Sequence, residues 1–243
     1  MSKNIAFDRQ RFDQLIAYYG QHDIAPQTAQ LRFEIPLVDG RGFYEAVVNR
    51  EGGLVKRLTE TWLARNDAFV TTAFGMSLMV EENAYPGTAP LQTYPLIEGA
   101  STDISGNGYI PFGDAKAVEA IFNGTMEINT GQTNNFTGIP LRHFRKVPQT
   151  QPAENAGDSI GLIPQFNAEE MMLNLPEKFV FAGTKDQKIR VEFPSYPDLS
   201  FLSDTYKDTH TPYLVIIFDG WVIKNGTNAR FQEERNPIGR AIA

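Results

Sequence analysis

The chain has 243 residues, no cysteine and a formal net charge of −7 at pH 7. The lack of cysteine excludes disulfides, thiolate-bound zinc, iron–sulfur clusters and cysteine nucleophiles. The acidic balance argues against a general nucleic-acid-binding protein, which carries a basic face, so we expect no specific nucleic-acid site. The longest unbroken apolar run, Tyr213 to Phe218, is far shorter than the ~20 residues that span a bilayer. We therefore expect no transmembrane segment.

The first predicted element is a helix near the start of the chain. Four apolar side chains fall on one helical face: Phe12, Leu15, Ile16 and Tyr19. Gly20 is suited to end this helix. A polar, proline-containing stretch separates the apolar stripe from the first strand, so we expect residues 1–28 to form an arm that contacts a neighbouring subunit.

Strands are predicted where apolar and polar residues alternate, because successive side chains of a strand point to opposite faces. The two clearest alternating sets are Leu31, Phe33, Ile35 and Leu37, and Ile189, Val191 and Phe193. The run from Tyr213 to Phe218 is apolar on both faces and predicts a central strand. Further candidate strands are 54–62, 69–80, 121–128, 139–145, 171–181 and 221–224. We expect Phe33, Ile35, Ile189, Val191, Val215 and Ile217 to lie between two sheets.

Two turns are predicted by Asp-Gly pairs, which tolerate the positive φ angles of tight turns. Asp39-Gly40 and Asp219-Gly220 each have strand-like runs on both sides. We predict a β-hairpin at each of them. A short helix is predicted at AKAVEAIF, with Asp114 as its cap.

About eight principal strands with few helices and long loops predict an all-β fold, a jelly-roll β-sandwich. A compact double jelly roll is the alternative. The predicted organisation is an N-terminal helical arm at 1–28, the sandwich at 29–224 and a C-terminal tail at 225–243.

The pattern and order of these strands resemble those of jelly-roll capsid proteins from tailless bacteriophages. The resemblance covers roughly residues 29–224 and rests on LRFEIPLVDGRGFYEAVV, FNGTMEINTG and LPEKFVFAGTKDQKIRVEFP followed by YLVIIFDGWVI. It implies a virion shell protein that assembles with itself, often as a trimer, and with other virion proteins. It also implies that the protein is not an enzyme, since such proteins have no catalytic residues to carry over.

One loop, DISGNGYIPFGD at 103–114, has the spacing of a calcium-binding loop. The ligands that this spacing predicts are Asp103, Ser105, Asn107 and Asp114, with the backbone carbonyl of Tyr109. The last position is Asp where such loops normally have Glu, and no helix is predicted before the loop. The alternative is a turn-rich connection that leads into the helix capped by Asp114.

Two other motifs have ordinary structural interpretations. The segment GDSIG at 157–161 resembles the nucleophile block of GDS-type esterases, but it lies in the middle of the chain and we interpret it as a loop. The basic run RHFRK around His143 could meet phosphate or an acidic partner surface, or form the solvated side of an edge strand.

The sequence therefore predicts a capsid protein located in the virion. Two alternatives have the same fold class: a calcium-dependent or carbohydrate-binding β-sandwich module, and a β-sandwich hydrolase. The hydrolase requires a convergent acid–base group, and the sequence offers none.

Overall fold

The computed structural model describes most of the predicted strands. The described ranges are 26–49, 57–89, 115–130, 133–145, 172–175, 179–195 and 208–227, with Gln10, 12–14, Ala17, Leu91, Thr93 and Leu199. The strands are β1 (Gln27–Pro36), β2 (Phe43–Val47), β3 (Ala68–Glu82), β4 (Thr125–Thr130), β5 (Thr133–Pro140), β6 (Met172–Asn174), β7 (Val180–Ala182), β8 (Gln187–Glu192) and β9 (His210–Ile223). The helices that the structure describes from end to end are an α-helix, Ala115–Phe122, and a 3-10 helix, Leu141–Phe144.

The strands form two antiparallel sheets that pack face to face. Sheet A has the order β1-β9-β3, and both β6 and β7 pair with the far edge of β3. The strand β7 pairs with Ala68–Val70 and β6 with Ala73–Gly75, so they occupy successive stretches of one edge. Sheet B has the order β2-β8-β4-β5. With β6 and β7 counted as one position, each sheet has four positions, and the order is that of a jelly roll. The predicted fold class is confirmed.

The core lies between the sheets and is rich in phenylalanine. The ring of Phe218 on β9 lies 5.2 Å from Phe181, 5.7 Å from Phe74 and 6.1 Å from Phe33. Edge-to-face and offset pairs of this kind add to the free energy of simple burial. The aromatic contacts therefore connect four strands of sheet A: β1, β3, β7 and β9.

Four of the six predicted core residues lie in this main cluster: Phe33, Ile35, Ile189 and Val191. The placement of Val215 and Ile217 was wrong, because both lie in a separate cluster on the other face of sheet A. Their neighbours Leu214 and Ile216 face sheet B instead. Since β9 is apolar on both faces, the sequence pattern could not distinguish the two sets.

Both hairpin predictions were wrong. Asp39-Gly40 is a turn, with φ +73° at Gly40, but it connects β1 in one sheet to β2 in the other. The strand β9 runs straight through Asp219-Gly220. A Cβ atom at Gly220 would lie 2.0 Å from the carbonyl oxygen of Val70, so glycine permits close approach of two strands there.

Several predicted strand boundaries also differ from the structure. The segment 57–62 forms a turn and one isolated bridge, and 221–224 is the end of β9 with the following turn. The predicted strand at 121–128 contains the end of the α-helix, and 139–145 contains the 3-10 helix. The predicted strand at 171–181 is divided into β6 and β7. In the segments other than 171–181, a turn or helix lies within the predicted run.

The N-terminal segment has helical backbone at its described positions, as the apolar spacing predicts. The ring of Phe12 lies 5.6 Å from that of Trp221, near the end of β9. At least one residue of the apolar stripe therefore contacts the chain's own sheet A. The contact with a neighbouring subunit stays a prediction.

Candidate functional surface

A cluster of charged side chains lies on the outer face of sheet A, the face turned away from sheet B. Glu34 on β1 and Glu81 on β3 are each 2% exposed, and Glu60 is 3% exposed. With Arg32 and Arg57 they form what we call the Arg57 cluster. Its formal charge is −1, because three carboxylates face two guanidinium groups.

Arg57 joins two strands that are not adjacent in the sheet. Its Nε donates to Glu34 Oε2 on β1 at 2.5 Å, and its Nη2 donates to Glu81 Oε2 on β3. The strand β9 lies between them, and the guanidinium carbon sits 3.9 Å from the ring centre of Tyr213 on that strand. One side chain thus spans three strands.

The segment that carries Arg57 is fastened along the free edge of β1, and we call residues 57–61 the edge loop. Thr61 and Arg32 exchange two backbone hydrogen bonds, of 3.0 and 3.1 Å. The backbone N–H of Glu34 donates to Glu60 Oε1 at 3.0 Å. The edge loop therefore occupies hydrogen-bonding groups of β1 that β9 does not use.

Glu34 is the centre of this arrangement. Its Oε1 accepts a hydrogen bond of 2.5 Å from Thr59 Oγ1 and lies 2.8 Å from Arg32 Nε. The contact with Arg32 is an ion pair without hydrogen-bond geometry. Because Glu34 and Glu81 bind groups of the same chain, the cluster is suited to holding the loop in place. A buried ion cluster costs desolvation energy and is weak evidence for stability.

A second turn is fastened to the same cluster. The backbone N–H of Gly87 donates to Glu81 Oε1. The backbone N–H of Tyr85 donates to the carbonyl of Glu82 at 3.0 Å and closes a turn. A Cβ atom at Gly87 would lie 3.3 Å from Thr59 Cγ2. The turn of residues 83–87 and the edge loop are therefore neighbours.

Large apolar side chains are exposed on these turns. Leu58 on the edge loop is 89% exposed, and Tyr85 on the neighbouring turn is 62% exposed. Val38 and Phe43, on either side of the turn between β1 and β2, are 52% and 46% exposed. Leu173 on β6 is the fifth such residue among those described. Two pairs of exposed apolar side chains therefore lie on or beside short turns.

The rest of the outer face of sheet A has an apolar cover. Met79, Val215 and Ile217 form a second buried cluster on this face. The partly buried residues packed against it are Ala89, Leu91, Met172 and Tyr213. The chain's own connection after β3 thus contributes to a third layer over sheet A.

The outer face of sheet B is charged and more open. Glu45 on β2 pairs with two residues of β8: Lys188 at 2.8 Å and Arg190 at 3.2 Å. The hydrogen bond from Lys188 is the main cause that lowers the pKa of Glu45. The same bond raises the pKa of Lys188. Such exposed pairs contribute little to stability.

The predicted calcium ligands Asp103, Ser105, Asn107, Tyr109 and Asp114 lie outside the described residues, so calcium binding stays a prediction. The GDSIG segment also lies outside them. Within the described part of the chain, no group of three or more His, Asp or Glu side chains is placed to hold a metal ion.

The first three residues of the basic run around His143 belong to the 3-10 helix Leu141–Phe144. Leu141 and Phe144 are buried in the core, whereas Arg142 and His143 are exposed. Arg145 pairs with Glu119 of the preceding α-helix. The run therefore combines core contacts with two solvent-facing side chains.

Sequence reasoning missed the Arg57 cluster. One signal could have indicated part of it: Glu34 stands between Phe33 and Ile35, and Glu81 directly follows an apolar run. A carboxylate buried beside such residues requires a partner. The identity of that partner depends on how 57–61 folds back over the sheet, and no periodicity in the sequence specifies this.

Comparisons of the chain with protein-family models, curated proteins and solved structures found no match. None of the described helices is long and apolar enough to cross a membrane.

Proposed function

We propose that the protein is a structural subunit of a virion shell, a phage capsid protein that assembles into a homo-oligomer, most simply a trimer. The jelly-roll strand order carries this proposal. Capsid proteins use this fold, but so do lectins and cupins, so the fold by itself does not determine the function. The surface of the sandwich supplies the second argument.

Exposed apolar side chains support a role in assembly. Single exposed apolar residues are ordinary, but contiguous ones mark contact sites. Leu58 and Tyr85 lie on neighbouring turns, and both turns are fastened to the Arg57 cluster. Because these turns are already ordered, little conformational entropy is lost when their side chains are buried by a partner. Such positions are suited to the centre of an interface.

The hydrogen bonds of two buried carboxylates are consistent with a structural role for the Arg57 cluster. The buried carboxylates Glu34 and Glu81 each accept hydrogen bonds from their own chain. They thus serve the internal order of the sandwich, as a structural protein requires.

Size-exclusion chromatography with light scattering tests the proposal directly. We expect a homo-oligomer at micromolar concentration, in low and high salt, with interfaces above ~1,000 Å². Electron microscopy of the same fractions would show rings or closed shells. A stable monomer in all conditions would overturn the proposal, and a monomer that binds glycans would favour the carbohydrate-binding alternative.

Single substitutions test which surface makes the contact. Leu58→Asp places a charge at the most exposed of the described large apolar side chains, so we expect it to weaken assembly at least tenfold in dissociation constant. Leu173→Asp, at an exposed apolar position on β6, is the matched control. Circular dichroism should show both variants folded. Equal assembly of the two variants would exclude Leu58 from the interface.

A further inference from the structure

The two edges of a sheet carry unpaired backbone groups, and an unprotected edge is a template for pairing with another chain. In sheet A, β1 is an edge strand of ten residues. Its backbone groups at every second residue point away from β9. Arg32 and Glu34 belong to this set, because their backbone groups bond to the edge loop.

The edge loop closes the middle of this edge. Thr61 uses both the N–H and the carbonyl of Arg32, and the carboxylate of Glu60 takes the N–H of Glu34. An incoming strand needs these same groups for a continuous ladder. The loop and a foreign strand therefore compete for one set of hydrogen bonds.

Arg57 attaches this loop to more strands than any other described residue of the loop. It binds carboxylates on β1 and β3 and stacks on Tyr213 of β9. The pair between Thr61 and Arg32 is an isolated bridge, so the backbone pairing alone is short. Because Leu58 is 89% exposed, the loop has little apolar burial of its own at that position.

We propose that the edge loop reversibly blocks the free edge of β1 and that the contacts of Arg57 hold the loop in place. While the loop is bound, the backbone groups at this edge are unavailable to other chains. When the loop detaches, the edge pairs with β1 of a second copy. Two identical edges can pair antiparallel about a twofold axis, because each supplies the same donors and acceptors to the other. This inference does not rest on the proposed function.

The test compares Arg57→Lys with the unchanged protein. Lysine keeps the positive charge beside Glu34 and Glu81, so the carboxylates stay compensated, but an ammonium group lacks the planar fork that joins them. Arg190→Gln, which removes a surface pair on the opposite sheet, is the control. Amide hydrogen exchange followed by NMR reports each backbone group separately.

At protein concentrations below those at which additional association begins, we expect Arg57→Lys to raise the exchange rates of the Arg32 and Glu34 amides at least tenfold, with the amides of β9 unchanged. We also expect additional concentration-dependent association in light scattering. Adding Gln30→Pro should abolish this excess, because Gln30 also faces the free edge and proline there removes a donor without breaking the pairing with β9.

Three results would overturn the proposal. The first is unchanged exchange at Arg32 and Glu34 in Arg57→Lys. The second is a uniform rise across both sheets, which would make Arg57 a general stabiliser of the sandwich. The third is association that does not exceed that of the unchanged protein, or an excess that Gln30→Pro leaves intact.

Discussion

Tyr44 shows how one buried hydroxyl organises a connection between the sheets. The side chain is 1% exposed, and its hydroxyl donates to the carbonyl of Val38 and accepts from its N–H, both at 3.0 Å. Arg41 lies over the ring, 5.0 Å from its centre. The turn between β1 and β2 is thus held by a tyrosine on the strand that follows it.

The ionisation of Tyr44 should weaken the fold in alkali. Burial is the main cause that raises the pKa of Tyr44, partly opposed by the hydrogen bond with Val38. Since the folded pKa lies above the unfolded value of about 10, the unfolded state loses the proton first. The stabilising contribution is complete below pH ~10 and is lost as pH rises through the folded pKa.

Urea unfolding of the unchanged protein and of Tyr44→Phe between pH 7 and 11 measures this contribution. At pH 7 we expect the variant to be less stable by ~1–3 kcal/mol, because two backbone groups of Val38 lose their partner. Above pH 10 the difference should shrink. A difference that stays constant through pH 11 would contradict the prediction.

Gly220 is required by a close approach of two strands. Its added Cβ would meet the backbone of Val70 at 2.0 Å, which no flexible side chain can relieve. We expect Gly220→Ala to destabilise the protein by about 3 kcal/mol through overpacking. Gly40→Ala is the control: it has open space but a φ of +73°, so its cost should be ~1–2 kcal/mol. Equal melting temperatures of the two variants would disprove this explanation.

At the scale of elements, alternation predicted strands well and connections poorly. The spacing of Phe33 and Ile35, and of Ile189 and Val191, was enough to place their strands and inner faces correctly. At Asp219-Gly220 the dipeptide predicts a turn that the structure does not have, because turn chemistry and close strand packing both require glycine. The two requirements are distinguished only by what surrounds the glycine. A Cβ atom at Gly220 would meet the backbone of Val70, whereas a Cβ atom at Gly40 would have open space.

The candidate surface was less predictable than the strands. The Arg57 cluster combines residues of β1 and β3 with a loop between β2 and β3, and sequence separation hides such contacts. The pattern of β9 predicted burial on both faces but not what covers the outer one. That cover includes Ala89 and Leu91, which come from the connection that follows β3.

At the scale of the whole molecule, the two sheets have different surroundings. Sheet A is covered on its outer face by the Arg57 cluster and an apolar layer. Sheet B presents a face of paired charges around Glu45. In the described part of the chain, residues of the connection after β3 pack on the outer face of sheet A, whereas the outer face of sheet B carries partly exposed charged pairs.

Deletion of the N-terminal segment tests how this segment contributes to folding and assembly. Since β1 begins at Gln27, deletion of residues 1–25 should leave the sandwich folded. Loss of the Phe12 contact uncovers Trp221, which is 8% exposed, so tryptophan emission should shift to longer wavelength. The sequence also predicts that this arm reaches a neighbouring subunit, and the deletion should then weaken assembly in light scattering.

Phe12→Ala separates the two roles of the arm, because it removes the contact with Trp221 and keeps the rest of the apolar stripe. We expect it to reproduce the emission shift and a modest loss of stability, of the order of 1 kcal/mol for a ring pair, while assembly stays intact. If Phe12→Ala weakens assembly as much as the deletion does, packing on sheet A is itself what the neighbouring subunit requires. If the deletion unfolds the protein, the arm belongs to the core of its own sandwich.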